Sequence, residues 1–585
     1  MGDLDSRAHR PGRHRLACLV VSVATVAGLV APAIAQVEVQ VPSERGLRPG
    51  DDRPELPEFR EEPAPVLPPL PQLPPVPDRP SSGVAVFVRD IRIEGNTAFP
   101  DDELEALVAP FEGRSIATEE LLELRDRLTR HYVDAGYINS GAVIPDQDVA
   151  DGVITVRIVE GVLDEVVVEG LQMLRPGFVE GRIRNGAGPV LNVERLQEEL
   201  QLLLADPTIE RLDARLGPGL ERGTSRLEVD LVEAPRFTAA FELDNERSPS
   251  VGELRGELEV VARTVLGYGD PLVVRAGLTE GLRDVEAGYS VPLLPNDLRL
   301  RLFGEFNDAE VVEEPFDALD IESESWTLEA GLRYPVIRSL DEQLIVGADL
   351  ARRHSETTIL GEPFPSARDG ENDVTVLRLV GDWLLRGEDE VRAFRSTLSF
   401  GIDALGATTE TAGFEDDGEF LAWLAQAQYA RRLSDAGHQV ILRTDLQLAA
   451  DPLLSLEQLA IGGLDTVRGY RENELVRDNG VIASIEGRVP LLELPVPRVT
   501  GPNDDPTLTL APFLDVGHGW DDGEREASKR DSETLASLGL GLLWSPTARV
   551  LTRFYYGYAL NEISDPDDES LQDHGIHFEV RVGLF

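Results

Sequence analysis

The 585-residue sequence predicts a mostly β transmembrane chain: a 16-stranded antiparallel β-barrel of the outer-membrane kind, preceded by two small α+β domains. Three observations carry that expectation. An export leader opens the chain. A strand–helix–helix–strand–strand pattern occurs twice between residues 85 and 235. From residue 236 onward, short segments alternate apolar and polar side chains, as strands between an apolar and a wet face must.

The leader covers residues 1–35. Arg7, Arg10, Arg13 and Arg15 form a basic start, Leu16 to Val30 an apolar run, and "AIA" a small-residue cleavage site before Gln36. Cys18 lies at the front of the apolar run, so cleavage would leave a chain without cysteine; disulfides and thiolate metal sites are not expected. Residues 36–84 read as a proline-rich periplasmic linker ending in "EEPAPVLPPLPQLPPVPDRPSSG", an extended spacer rather than a docking ligand.

The first α+β unit, 85–162, opens with strand "VFVRDIRIEGNTAF". In its second helix, Leu121, Leu124, Leu128 and Tyr132 fall on one stripe, with Thr118 as the expected N-cap. Strands within "SGAVIPDQDV" and "GVITVRIVEG" close the unit. The second unit, 163–235, repeats the order with "LDEVVVEGL", "RPGFVEGRIRNGA", "NVERLQEELQLLLADP", "IERLDARLGPG" and "SRLEVDLVEAP". Each small sheet must end in edge strands, and an unpaired edge is a template for another chain's strand.

The barrel region, 236–585, holds sixteen alternating segments, beginning near residues 237, 252, 270, 283, 298, 325, 342, 374, 393, 422, 438, 481, 508, 533, 548 and 575. An even count lets an antiparallel sheet close without edges. In "FTAAFELDN", Phe237, Ala239, Phe241 and Leu243 share one parity, against Thr238, Glu242 and Asp244. The final "GIHFEVRVGLF" sets Ile576, Phe578, Val580, Val582 and Leu584 against His577, Glu579 and Arg581. Repeated Arg and Glu on the hidden parity fit a wet lumen, with lipid on the other side. Connections after odd strands are long and acidic, those after even strands mostly short, which places the former outside the cell. Two features fit this scheme badly: the long even connection "ELPVPRVTGPNDDP", and Phe585 on the lumen parity.

One outer connection, 450–480, contains "GGLDTVRGYRENEL" (462–475). Its glycines suit a tight fold in a crowded place. In "LTLAPFLDVGHGW", Phe513, Asp515 and Gly517 take the lumen parity. The expectation is a loop folded into the barrel, with Arg468 paired to Asp515; periodicity alone leaves an ordinary surface loop equally open.

The net charge of −51, with Lys529 the single lysine, speaks against nucleic acid as a partner. There is no G-x-S-x-G elbow, no phosphate-binding G-x-x-x-x-G-K-[ST] loop and no histidine cluster at metal-ligand spacing, so neither an enzyme nor a cofactor is expected.

Taken together, "VIPDQDVADGVITVRIVEG", "VRGY" at 467–470 and "FLDVG" at 513–517 resemble the outer-membrane transporter of two-partner secretion systems (haemolysin/haemagglutinin activation-secretion type). These transporters belong to the superfamily of barrels preceded by POTRA domains. The resemblance covers nearly the whole mature chain. It implies two POTRA-like domains in the periplasm that capture the N-terminal secretion domain of a large partner exoprotein, of adhesin or cytolysin type. It further implies a pore in outer-membrane lipid, and a re-entrant loop whose Val467, Arg468, Gly469 and Tyr470 act as a latch against Phe513, Asp515 and Gly517. Relatives often carry an N-terminal plug helix, but residues 37–60 hold too many prolines and glycines to read as one. The alternative is a factor that inserts other barrels into the membrane; such factors usually carry three or more POTRA repeats, against two here.

Overall fold

The structure is a computed structural model. It describes residues 56, 59, 65–67 and 85–585, except 150, 295, 365–369, 409–417, 503, 522–531 and 562–569. The expected leader, most of the linker and any plug helix lie outside the described residues.

The first unit comprises β1 (Ala85–Val88), β2 (Asp90–Glu94), α1 (Asp101–Val108), β3 (Arg114–Ala117), α2 (Thr118–Asp134), β4 (Gly141–Val143) and β5 (Val153–Val159). Its sheet runs β2-β5-β4, with β1 and β3 paired separately. The predicted stripe of α2 forms the core: Leu124, Leu128 and Tyr132 are fully buried, and Leu121 packs at its margin. Thr118 is not the N-cap. Ala117 holds that position, and the Glu120 carboxylate accepts its N–H at 2.8 Å, so the acidic residue three places into the helix does the capping.

The second unit comprises β6 (Val162–Glu169), α3 (Pro176–Ala187), α4 (Val193–Leu204), β7 (Ile209–Pro218) and β8 (Thr224–Glu233), in sheet order β6-β8-β7. Asn192 caps α4 by accepting the Glu194 and Arg195 N–H groups. The two units meet at a fixed elbow. Val193 N–H donates to Gly136 O at 2.9 Å, Leu191 N–H to Gly161 O at 2.8 Å and Gly161 N–H to Ser140 Oγ at 2.9 Å. A Cβ at Gly161 would stand 1.9 Å from Asn139 Oδ1 and would displace the Asn139 amide from its bond to Ser225 Oγ.

The linker departs from the expectation of a bare spacer. Leu67 is buried in the core of the second unit, its N–H donating to Gln197 Oε1 at 2.8 Å, and the Phe59 ring lies 4.9 Å from the Arg432 guanidinium. The proline run anchors an apolar side chain, which its composition did not reveal.

The barrel strands are β9 (Phe237–Asp244), β10 (Arg255–Ala262), β11 (Leu272–Leu278), β12 (Leu282–Pro292), β13 (Arg299–Glu310), β14 (Ile321–Arg338), β15 (Glu342–Ile359), β17 (Glu371–Arg386), β18 (Glu390–Gly401), β19 (Leu421–Arg432), β20 (Gln439–Ala449), β23 (Asn479–Glu493), β24 (Thr507–Trp520), β25 (Ser532–Thr547), β26 (Val550–Ala559) and β27 (Ile576–Gly583). They pair antiparallel in this order, and β27 returns to β9, closing sixteen strands. A two-residue β16 (Glu362–Pro363) extends the outer hairpin of β15. The predicted parity holds: Phe237, Phe241 and Leu243 are exposed on the lipid side, while Glu242 and Asp244 are buried inside. The long even connection packs against its neighbour, Thr500 Oγ1 donating to Pro546 O at 2.8 Å and Ala548 N–H to Asp504 Oδ1 at 2.9 Å. Phe585 lies beyond the end of β27 and is exposed, so its parity carries no meaning.

The second unit is bolted to the even connections. Arg182 reaches Asp297 at 2.8 Å, Arg338 reaches Glu199 at 3.1 Å, and Arg175 N–H donates to Gly267 O at 2.9 Å. Those connections therefore lie on the same side as the two small domains, and the odd ones on the other.

In the first unit, Glu160 closes the "IVEG" segment onto the β2–α1 connection. Its carboxylate accepts the Thr97 N–H at 2.6 Å, the Ala98 N–H at 2.8 Å and the Thr97 and Tyr132 hydroxyls. Burial would raise this carboxyl, but the hydrogen bonds from Thr97 and Ala98 outweigh it and hold it below its ordinary value. The resulting stability is present above about pH 4.3, the usual glutamate value, and is lost as pH falls through the lowered folded value. Hydrogen exchange across residues 97–99 and α2 should progressively lose protection as the pH falls below the usual glutamate value of about 4.3. In Glu160→Gln, protection should already be weaker at pH 7 and should vary less with pH.

Candidate functional site

The loop after β20 turns into the barrel instead of leaving it. Its two limbs, β21 (Leu459–Ile461) and β22 (Leu475–Arg477), pair as a short antiparallel ribbon inside the wall. Gly462, Gly463 and Gly469 adopt φ of 119°, 99° and 93°, a region costly for any residue with a Cβ. Space demands glycine as well. A Cβ on Gly469 would lie 2.8 Å from the carbonyl carbon of Gly557 on β26, so loop and wall touch backbone to backbone.

That approach delivers Arg468, 2% exposed, to a prepared wall. Arg468 Nε donates to Asp515 Oδ2 at 2.8 Å and Nη2 to Asp515 Oδ1 at 2.9 Å, a bidentate pair. The Arg468 N–H also donates to Asp515 Oδ2, at 3.1 Å. Nη1 donates to Glu486 Oε2 and Nη2 to Ser484 Oγ. The guanidinium lies 3.7 Å from the Phe513 ring centroid and 4.9 Å from that of Tyr555. Two carboxylates and two aromatic rings thus compensate one buried cation.

All seven residues expected at this site meet here. Val467 is fully buried beside Ile461, and Gly517 makes room for both, since a Cβ there would sit 2.8 Å from Val467 Cγ2 and 2.4 Å from Ile461 Cγ2. Gly469 N–H donates to His577 Nε2 at 3.1 Å. Tyr470 packs with Leu459, Leu475 and Leu535, its hydroxyl donating to Asn561 O at 2.7 Å.

Sequence reasoning missed Glu486, Ser484, Tyr555 and His577. Each sits on the inward parity of its strand, but which inward residues are neighbours depends on register. Here Ser484 stands opposite Asp515, Glu486 opposite Phe513, and Tyr555 opposite His577. A second, outer clasp was also missed: Arg471 bonds Asp573 in the β26–β27 connection and Glu313 in the β13–β14 connection. Burial would raise the Asp573 carboxyl, but hydrogen bonds from Arg471 and Ser570 hold it below its ordinary value.

Removing one partner of a buried, bidentate ion pair costs about 3–5 kcal/mol. Arg468→Ala and Asp515→Asn should therefore each lower the temperature at which the detergent-solubilised barrel loses its folded gel mobility. Gly469→Ala should push the tip off β26. A cysteine placed at Thr466 should then react with a maleimide several times faster than in the wild-type background.

Family comparison agrees with this architecture. The model of the haemolysin secretion/activation protein ShlB/FhaC/HecB family matches residues 223–543, and that of the ShlB-type POTRA domain matches residues 86–161. The outer membrane transporter CdiB of Dickeya dadantii (strain 3937) is 23% identical over 482 residues, covering 79% of this chain and 80% of the relative. The heme/hemopexin transporter protein HuxB of Haemophilus influenzae (strain 86-028NP) is 23% identical over 506 residues, covering 81% and 82%. The solved structure of CdiB from Escherichia coli shares the fold, with TM-score 0.67 and 21% identity over 89% of this chain and 94% of that one. With sixteen closed strands, a POTRA-bearing periplasmic arm and a family match over more than half its length, the chain belongs to the haemolysin secretion/activation (ShlB/FhaC/HecB) family of outer-membrane transporters in two-partner secretion.

Proposed function

We propose that this chain captures one large exoprotein in the periplasm and passes it, unfolded, through the barrel to the cell surface or medium. The inward-folded loop serves as the latch. The observation that supports the reading is the Arg468 network: a loop folded into the lumen is held to its wall by a buried charge cluster. A passive pore would have no use for two periplasmic modules.

Capture rests on strand edges, and the four edges of the two three-stranded sheets differ. On β2, the Ile91 N–H is already taken by Glu112 at 2.9 Å. On β6, the Leu163 and Asp164 carbonyls accept from Arg184 at 3.1 Å each. The β4 edge is three residues long. By contrast β7 offers ten residues, with exposed Arg211, Asp213 and Arg215 on its open face. Among the described residues no side chain from elsewhere bonds its backbone, so β7 is the edge best suited to a client strand. Main-chain pairing grips a chain with few demands on its sequence, and folding outside the cell would make passage irreversible.

Co-expression with the product of the neighbouring open reading frame should place that product in the medium. Arg468→Ala should abolish its appearance while leaving the barrel in the membrane at wild-type level. Retention of the product by the wild-type chain, together with loss of other barrels when this gene is deleted, would favour the assembly-factor alternative.

A further inference from the structure

The loop is held at a second place, on the far wall. Glu457, in the limb that descends from β20, is buried and paired with two arginines. Arg353 Nη1 on β15 donates to its Oε1 at 2.9 Å, and Arg378 Nη2 on β17 reaches both carboxylate oxygens at 2.8 Å. Arg353 Nη1 also donates to Leu456 O at 2.6 Å, and Gln447 Nε2 donates to Glu457 O at 3.1 Å. Beside this clamp, Leu453 and Leu454 pack on Ala351, Val374 and Val376.

Barrel order gives the clamp its meaning. β15 is the seventh of the sixteen strands, and β26, where Gly469 touches Gly557, is the fifteenth. Seventh and fifteenth stand eight apart in a ring of sixteen, so they face each other. The loop therefore touches facing walls: Glu457 lies on arginines of the seventh and eighth strands and Gly469 on the fifteenth, while Arg468 between them binds carboxylates of the twelfth and thirteenth. The near end is tied to β20, from which the loop emerges, through Gln447; its two charge partners and its apolar patch stand on β15 and β17. The tip reaches its wall through glycines whose backbone can swing.

We propose that Glu457 is a positioning residue and the pivot of the loop: opening releases Arg468 while the Glu457–Arg353–Arg378 clamp stays shut. This deepens the latch reading above and rests on it. The clamp sets where the tip lands, and it keeps a freed loop against β15 and β17 so that the opposite half of the lumen clears.

The test uses the full chain, whose single cysteine, Cys18, lies in the leader. A Val467→Cys/Leu535→Cys pair reports docking of the tip as a disulfide, because both side chains belong to one buried cluster. Adding Glu457→Gln should cut the disulfide yield several-fold, at an unchanged fraction of folded barrel on gels. A second arm leaves Glu457 intact: Leu454→Cys/Val374→Cys joined by a short bis-maleimide, in the Arg468→Ala background, in a planar bilayer with potassium chloride. There the Arg468→Ala current should exceed wild type and should persist with the near end tethered. An unchanged disulfide yield in Glu457→Gln, or a tether that returns the current to the wild-type level, would overturn the pivot. Neither arm contains a client, so a failed export assay bears on translocation and not on the clamp.

Discussion

A guanidinium shut inside a membrane barrel is tolerable only if its surroundings replace water on nearly every N–H, and this requirement organises the molecule. Arg468 needs Asp515 and Glu486 on neighbouring strands, Ser484 between them and the flat faces of Phe513 and Tyr555. Those five residues belong to three strands whose inward rows coincide only when the barrel has closed in one register. The loop, in turn, reaches them only because glycines stand at the contact. Closure, register and loop insertion are thus one cooperative unit.

Much of this was legible from alternation alone. A period of two sorted lipid-facing from lumen-facing residues, and each of the sixteen strands begins within four residues of its expected start, the largest offset being Ile321 against 325. Arg468 and Asp515 could be paired because one arginine lay among glycines and one carboxylate held an inward position. Glu486 escaped because "VIASIEGRVP" contains nothing unusual by itself. Its importance comes from standing across from Phe513, and lateral neighbours are not written in a linear period. The same holds for Glu457, whose partners lie on strands far away in sequence. The burial of Leu67 was hidden for another reason: a proline run reads as extended, and extension does not say what the chain leans on.

The periplasmic arm follows a different logic. Each small domain has its own apolar core, yet the joints are polar: backbone hydrogen bonds at Gly136 and Gly161 between the domains, and Arg182–Asp297 and Arg338–Glu199 at the barrel. Oriented hydrogen bonds and ion pairs fix angle as well as distance, which an apolar contact does less well. The second domain is consequently held at a set angle to the barrel.

The meeting of Gly469 and Gly557 has a consequence for descent. Neither position can acquire a side chain while the other stays where it is, so the two share a fate although 88 residues separate them. A lineage that lost the inward loop would be released at both sites together, and side chains appearing there in concert would mark the ancestor in which the gate was abandoned.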